Sequence, residues 1–220
     1  MIRKKGNFNM VNPFNGAPEF FIELHYKIDQ LGHKRSCLDD TGFSLGRSQC
    51  GKWFVTSPIS QAASKFLLAR NVTGLNADGY KGEEPVDNYT GQLIFTLSAA
   101  AFETYCRLRD SPWFDVYRDI FTIDDGKRFR AKAQSQNLEA NFYSRLIGAQ
   151  KDCRLKSKIR EFADGEDEKN FFAVCVGFRN AFAHGRLGSL SGTLALSHCA
   201  REIILQAIER DCAGRTDRVR

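Results

Sequence analysis

The stretch Phe171–Gly185 reads FFAVCVGFRNAFAHG and decides the fold. Its large apolar side chains recur at helical spacing and form one stripe that faces a core: Phe171, Val174, Cys175, Phe178 and Phe182. At about 100° per residue, Asn180 and His184 lie roughly opposite this stripe, and Arg179 lies at its edge. Gly185 can end the helix in a left-handed conformation. The stretch therefore predicts a buried helix with a polar triple on the outward side of its last turn.

The composition is that of a globular protein with 220 residues, of which 42% are apolar and 26% are charged. This length suits one large domain, or a domain with a substantial extension. No apolar run approaches the 18 or so residues of a transmembrane helix. The basic amino-terminal segment MIRKKGNFNMVNPF lacks the apolar core of a signal peptide. We expect no membrane association.

The seven cysteines are an odd number without paired spacing, which favours reduced thiols and a cytoplasmic location. Three of them lie in helical apolar patterns, as buried thiols do: Cys106, Cys175 and Cys199. A metal site is conceivable only near the start of the chain, from His25, His33, Cys37 and Cys50. Their spacing does not match a zinc finger, so we expect neither a metal nor another cofactor.

Residues 1–86 give mixed signals and are predicted to be an extension of unknown role. Residues 18–28 suit a strand or a short helix, and residues 52–55 suit a short strand. A serine followed by Pro58 starts a helix that should run to about residue 70. The connection that follows is rich in Gly, Asn and Pro, and it marks the boundary. The extension is therefore expected to have mixed α/β structure.

Residues 87–220 are predicted to form an all-α bundle of long helices with short connections. Asp87 is expected to cap the first long helix, which carries LSAAAFETYCRLRD. The remaining predicted helices span residues 113–121, 131–162 with a break near Gly148, 171–185, and 192–212. Residues 122–127 are predicted to be a loop, and the tail GRTDRVR is predicted to be disordered.

The hexapeptide from Arg179 to His184, RNAFAH, resembles the motif of the HEPN family. These are all-helical domains whose nuclease members carry R-x-x-x-x-H, often with a polar residue after the Arg. The segment LSAAAFETYCRLRD is similar to the first long helix of that family, and the motif ends the penultimate helix as it does there. The resemblance covers about residues 87–212. It implies a HEPN-like helical bundle and a ribonuclease of toxin or antiviral-defence type.

The residue types suit metal-independent RNA cleavage that leaves a 2′,3′-cyclic phosphate. His184 can move a proton at the 2′-hydroxyl or the leaving oxygen near neutral pH. Arg179 offers a planar fork of donors for the charge on the phosphate, and Asn180 can orient the phosphate or the imidazole. No carboxylate cluster lies beside the motif, which argues against a two-metal nuclease. Glu103 is expected to support the site, as polar residues there do in relatives.

The geometry of a straight helix separates Arg179 from His184 by about 140°, so one copy cannot easily close around one phosphate. Either the last turn distorts, or two chains bring their motifs together, and the resemblance implies a homodimer. The outward face of the helix is expected to make this contact because it holds few long charged side chains. Small and apolar residues flank Asn180 and His184 there: Phe172, Val176, Gly177 and Ala183. The expected partners are RNA, a second copy, and an antitoxin or regulatory protein. Many toxins of the family carry a modified Tyr two residues after the His, and here Arg186 stands in that place.

Two other interpretations stay open. The first is a HEPN-like helical module without catalysis that binds a protein or a nucleotide, since polar residues opposite an apolar stripe are most often solvated. The second is a basic nucleic-acid-binding protein with an accessory helical domain, which the net charge of +6 permits. The chain lacks a dense Lys/Arg stripe with interleaved aromatic residues, which counts against the second. His198 is predicted to be structural.

Overall fold

The computed structural model describes residues 16–23, 58–75, 83–108, 112–186 and 192–216. These ranges are helical and contain no strand, so the all-α fold class is confirmed for them. The helices are α1 (Pro58–Asn71), α2 (Glu83–Leu108), α3 (Trp113–Ile120), α4 (Ile123–Ser135), α5 (Glu139–Ala149), α6 (Cys153–Ala163), α7 (Phe171–Ala183) and α8 (Thr193–Thr216). A 3₁₀ turn over Glu168–Asn170 precedes α7, and residues 19–23 are also helical. None of the described helices has both the length and the apolar character needed to cross a membrane.

The bundle is built around α2, which packs against α1, α7 and α8. Helices α2 and α8 run parallel. Gly91 near the start of α2 lies close to Leu194 near the start of α8, and further along both helices the Tyr105 hydroxyl donates to Asp211. Helix α7 runs antiparallel to α2. Phe95 stacks on Phe178 with ring centroids 4.7 Å apart, and Phe102 contacts Phe172 at 4.5 Å. Stacked and edge-on aromatic rings of this kind fill the centre of the core.

The predicted outward face of α7 is wrong, because residues 171–178 are all buried. Phe172 is 0% exposed and Val176 is 2% exposed. A Cβ atom added to Gly177 would lie 2.8 Å from Cδ1 of Ile159 on α6. The side chain of Gln150 also donates to the Gly177 carbonyl at 2.9 Å. Helices α2, α5 and α6 thus enclose α7, and of the four residues expected at a dimer contact only Ala183 is exposed.

The region after α3 is divided more finely than the sequence predicted. Residues 122–127 are not a loop: Thr122 caps α4 through a capping box, accepting from the Asp125 amide at 3.2 Å while its own amide donates to the Asp125 carboxylate at 2.9 Å. The region predicted as one long helix over 131–162 with a break near Gly148 is three helices, and the end of α5 at Ala149 agrees with the predicted break. The chain leaves α4 through Asn137, whose φ of 55° is left-handed, and Asp152 caps α6 by accepting from the Arg154 amide at 2.8 Å.

The helix ends also differ from the prediction. Helix α2 begins at Glu83, so Asp87 lies inside it and does not cap it. Helix α8 continues to Thr216, so the first three residues of the tail predicted to be disordered are helical. Helix α1 is confirmed, and its Phe66 contacts both Phe20 and Phe21 with centroids 5.5 Å apart.

One hydrophobic core crosses the predicted domain boundary at residue 86. It joins α1 and the buried rings of residues 20 and 21 to the bundle. The strand predicted over residues 52–55 lies outside the described residues, and so do all four residues of the conceivable metal site: His25, His33, Cys37 and Cys50. The thiols of Cys106, Cys175 and Cys199 are buried, as their helical patterns predict.

Candidate functional site

The end of α7 is a Schellman motif that exposes the last residues of the predicted site. Gly185 has φ = 61°, the left-handed conformation that its lack of a side chain favours. Its amide donates to the Phe182 carbonyl at 2.9 Å, and the Arg186 amide donates to the Ala181 carbonyl at 2.8 Å. His184 is the C-cap residue between them. The helix therefore ends where the sequence predicts, at a well-defined backbone position.

The Arg179 guanidinium is held by two neighbours. Its Nη1 donates to the carboxylate of Glu103 on α2. Its Nε and Nη2 donate to Oδ1 of Asn180, at 3.2 and 2.9 Å. The Arg179 and Glu103 side chains are 24% and 22% exposed, so solvent screens the ion pair only in part. The expected contact of Glu103 with the motif is therefore present.

Asn180 connects the two halves of the motif. Its side chain accepts from Arg179, and its backbone carbonyl accepts from the His184 amide at 3.2 Å. Because the amide oxygen receives two guanidinium N–H groups, the Asn180 rotamer and the direction of the Arg fork are fixed together.

His184 is exposed, and its imidazole makes no hydrogen bond or ion pair with any residue in the described ranges. The structure thus brings Arg179, Asn180 and Glu103 together and leaves the imidazole of His184 apart from them. Both ring nitrogens of this solvent-facing imidazole are available as hydrogen-bond partners. Within one chain, no hydrogen bond joins the guanidinium of Arg179 to the imidazole of His184.

The residues on either side of the motif are packed against neighbouring helices. Phe178, the residue before Arg179, lies between Phe95 and Phe142 with centroid distances of 4.7 and 5.3 Å. Beyond the motif, the Arg186 guanidinium donates to the carbonyl of Ala149 at the end of α5, 3.0 Å away. Arg186, two residues after His184, is thus held against the neighbouring helix.

His198 on α8 has a close basic neighbour, a contact that was not predicted from the sequence. It is partly exposed, and its Nδ1 lies 2.8 Å from Nη2 of Arg201, one helical turn further on. Burial lowers its pKa from the ordinary 6.5, and the charge of Arg201 acts in the same direction, while Glu202 opposes them. The spacing of three residues on one helix is the sequence signal that could have paired His198 with Arg201.

The arrangement can bind an anion and move a proton. Three of the five N–H donors of Arg179 are engaged, which leaves two for a phosphate oxygen. Within the described part of the chain, no group of three or more His, Cys, Asp or Glu side chains is placed to hold a metal ion. No family model, no curated protein and no solved structure matches the chain.

Proposed function

We propose that the chain is an endoribonuclease of the HEPN type that cleaves RNA without a metal ion. Arg179 and His184 would be its catalytic residues, and Asn180 would orient them. The observation that carries the proposal is the polar end of an otherwise buried helix, where Glu103 and Asn180 hold the Arg fork and the His imidazole is open to solvent. A toxin or an antiviral-defence nuclease is the class of protein that this motif favours.

The proposed chemistry is an internal transfer at the phosphodiester. The 2′-hydroxyl oxygen attacks phosphorus as its proton is removed, and the bond from phosphorus to the 5′-oxygen breaks. The 5′-oxygen takes up a proton, so the products are a 2′,3′-cyclic phosphate and a 5′-hydroxyl. His184 would transfer protons in this reaction, and Arg179 would donate to the phosphate oxygens as charge develops there.

A second copy of the chain would complete the site. The guanidinium of Arg179 reaches toward α2, whereas His184 lies at the far end of the motif, so one copy offers the two groups to different places. Two copies related by a two-fold axis could place the Arg of one beside the His of the other. The homodimer is therefore part of the proposal, with RNA as the substrate and an antitoxin or regulatory protein as a further partner.

A helical module without catalysis is the competing interpretation. It is favoured by the engagement of Arg179, which already has a carboxylate partner and an amide partner. In this interpretation the role of Arg179 is to join α7 to α2. Such a module would bind a protein or a nucleotide and would leave RNA intact.

Expression in cells separates the two interpretations. The wild-type chain should slow growth and fragment total RNA, and Arg179→Ala or His184→Ala should abolish both effects while the circular dichroism of the purified protein stays unchanged. Lys65→Ala is the matched control, since Lys65 is an exposed cation on α1. If wild type and His184→Ala leave growth and RNA equally unaffected, the nuclease proposal fails.

A further inference from the structure

Three adjoining depressions form a continuous groove on the side of the bundle where α4 meets α8. The first has a volume of about 400 Å³ and lies between Arg128 and Lys132 of α4 and His198 of α8. The second, of about 670 Å³, shares His198 with the first and reaches Gln136. The third, of about 460 Å³, shares Gln136 with the second and reaches Arg145 of α5. We call this the α4–α8 groove.

The groove carries uncompensated positive charge at two places. Arg128 is neutralised, because it donates to Glu202 at 2.5 Å and to Gln206 at 3.1 Å. Lys132 and Arg145 have no carboxylate partner among the described residues. Some basic residues elsewhere in the bundle are paired, as Arg130 is with Glu168 at 2.9 Å and Arg210 is with Asp125 at 2.6 Å. Lys132 and Arg145 thus leave two cations in the groove where an anion could reach them.

His198 adds a hydrogen-bond donor to the groove between Lys132 and Arg145, and the tautomer of its ring is fixed by a neighbour. A guanidinium can only donate, so Nδ1 of His198 accepts from Arg201 and its Nε2 carries the proton. Arg201 is itself fixed, because its Nη1 donates to the Val72 carbonyl at 2.8 Å. The lowered pKa keeps the ring neutral at pH 7. A neutral ring with one available N–H suits an oxygen of a base or a sugar better than it suits a phosphate.

The far end of the groove lies close to the candidate catalytic motif. Phe142 lines the third depression and stacks on Phe178, the residue before Arg179, at 5.3 Å. The same helix, α5, ends at Ala149, whose carbonyl accepts from Arg186 just beyond His184. A strand lying in the groove would therefore lead toward the end of α7.

We propose that the α4–α8 groove binds single-stranded RNA, with Lys132 and Arg145 at phosphates and His198 at a base or sugar oxygen. This inference rests on the proposed function, because it supplies the path by which the substrate reaches the catalytic motif. A single strand fits because its bases expose their edges, and its phosphates can be followed by separate cations. The groove lining holds three cations against two carboxylates, so its charge complements that of the strand: Arg128, Lys132 and Arg145 against Glu202 and Asp87.

The test measures RNA binding in a protein that cannot cleave. In a His184→Ala background, the affinity for a labelled single-stranded RNA of about 12 nucleotides is followed by fluorescence anisotropy over a range of salt. Lys132→Glu and Arg145→Glu should each weaken binding about tenfold. Each should also make the slope of log affinity against log salt concentration shallower by about 1, the contribution of one phosphate contact. His198→Gln should weaken binding and leave the salt dependence unchanged. Lys65→Glu, a charge reversal on the exposed surface of α1, should have little effect.

The outcomes separate the groove from the nuclease. Unchanged affinity in Lys132→Glu and Arg145→Glu overturns the groove, and so does an equal loss in Lys65→Glu, which would indicate general electrostatic attraction. If the wild-type chain cleaves RNA in a parallel assay, the nuclease proposal holds even when one of these two results overturns the groove. If binding depends on the groove residues but the wild-type chain leaves RNA intact, the groove stands and the nuclease fails. Absence of RNA binding by the His184→Ala protein overturns the groove directly.

Discussion

The Arg179 guanidinium on α7 donates to the Glu103 carboxylate on α2, across the contact between the two most central helices of the bundle. Side chains on helices lean toward the helix N-terminus, and α2 and α7 are antiparallel. The two side chains therefore lean toward each other along the contact, which lets them meet. This ion pair holds the Arg179 guanidinium, the cation that the proposed chemistry needs, in place. The coupling energy of the pair can be measured.

A double-mutant cycle tests this pair. Glu103→Gln should lower the free energy of unfolding by about 1–3 kcal/mol, because a partly buried guanidinium loses a charged acceptor. Combined with Arg179→Ala, the cycle should give a coupling energy of about 1–2 kcal/mol in urea unfolding. The matched control is the exposed pair of Arg128 and Glu202, whose coupling should stay below about 1 kcal/mol. Equal coupling in the two cycles would contradict the structural role of the Arg179 contact.

RNA cleavage is expected to persist in excess EDTA. In the proposed reaction Arg179 supplies the positive charge at the phosphate and His184 transfers the protons, so no step needs a divalent cation. The measurement is the cleavage rate before and after chelation, with the product ends identified as 2′,3′-cyclic phosphate and 5′-hydroxyl. A magnesium-dependent nuclease in the same buffer shows that chelation is complete. Activity that is lost in EDTA and returns with a divalent ion would refute the mechanism.

Gly91→Ala should destabilise the protein although alanine is the better helix former. A Cβ atom at Gly91 would lie 2.8 Å from the backbone nitrogen of Leu194 and 2.9 Å from the carbonyl carbon of Thr193. Because these are backbone atoms, α8 must shift, and we expect a loss of about 1–3 kcal/mol in urea unfolding. Gly148→Ala is the control, since nothing lies within 4 Å of its Cβ position. That change should stabilise by about 0.5–1 kcal/mol. A stabilising Gly91→Ala would refute the close approach of α2 and α8.

Local signals predicted parts of the structure well. Pro58 begins α1, and Gly185 ends α7 in the left-handed conformation, as their local signals predict, because both effects involve only neighbouring residues. The capping residues Thr122 and Asp152 are equally local signals, yet residues 122–127 were predicted to be a loop and residues 131–162 a long helix broken only near Gly148. Neither cap was used to place the start of a helix.

Contacts between distant segments could not be predicted in the same way. The run FFAVCVGF is apolar at every position, which is typical of a helix buried on all sides, but only one stripe was assigned to the core. Which helices cover the other side depends on the topology. The direction of the Arg179 side chain depends on the register of α7 against α2, which no spacing within either helix specifies.

His198 should make the protein less stable at acidic pH. Its pKa is lowered from 6.5 in the folded state, chiefly by burial, so between the lowered value and 6.5 the unfolded chain binds more protons. The contribution of His198 is therefore full above 6.5 and is lost as the pH falls through that window. The charged groups facing it in the groove are Arg128, Lys132, Arg201, Glu202 and Asp87.

The measurement compares urea unfolding at about pH 7.5 and about pH 5. His198→Gln should lose less stability between these two values than the wild-type chain does. An NMR titration of the His198 ring with a midpoint at or above 6.5 would contradict the prediction.

Burial limits the part of α7 that a second copy of the chain could contact in a dimer. Phe172, Val176 and Gly177 pack inside the chain's own core, so they cannot form the contact. The part of α7 that a second copy could reach is its exposed end, from Ala183 to Arg186. A contact there would bring the His184 imidazole of each copy toward the other chain, while Glu103 keeps each Arg179 in place.

Mixing two inactive chains tests whether the site is shared. Arg179→Ala and His184→Ala chains should each be inactive alone, and after subunit exchange the mixture should recover up to about a quarter of the wild-type rate. Half of the dimers formed at random are mixed, and each mixed dimer has one of its two Arg/His pairs complete. Mixing His184→Ala with a chain carrying both substitutions should restore nothing, since no intact His184 is present. Light scattering gives the oligomeric state at the assay concentration, and a monomer that cleaves RNA would rule out the shared site.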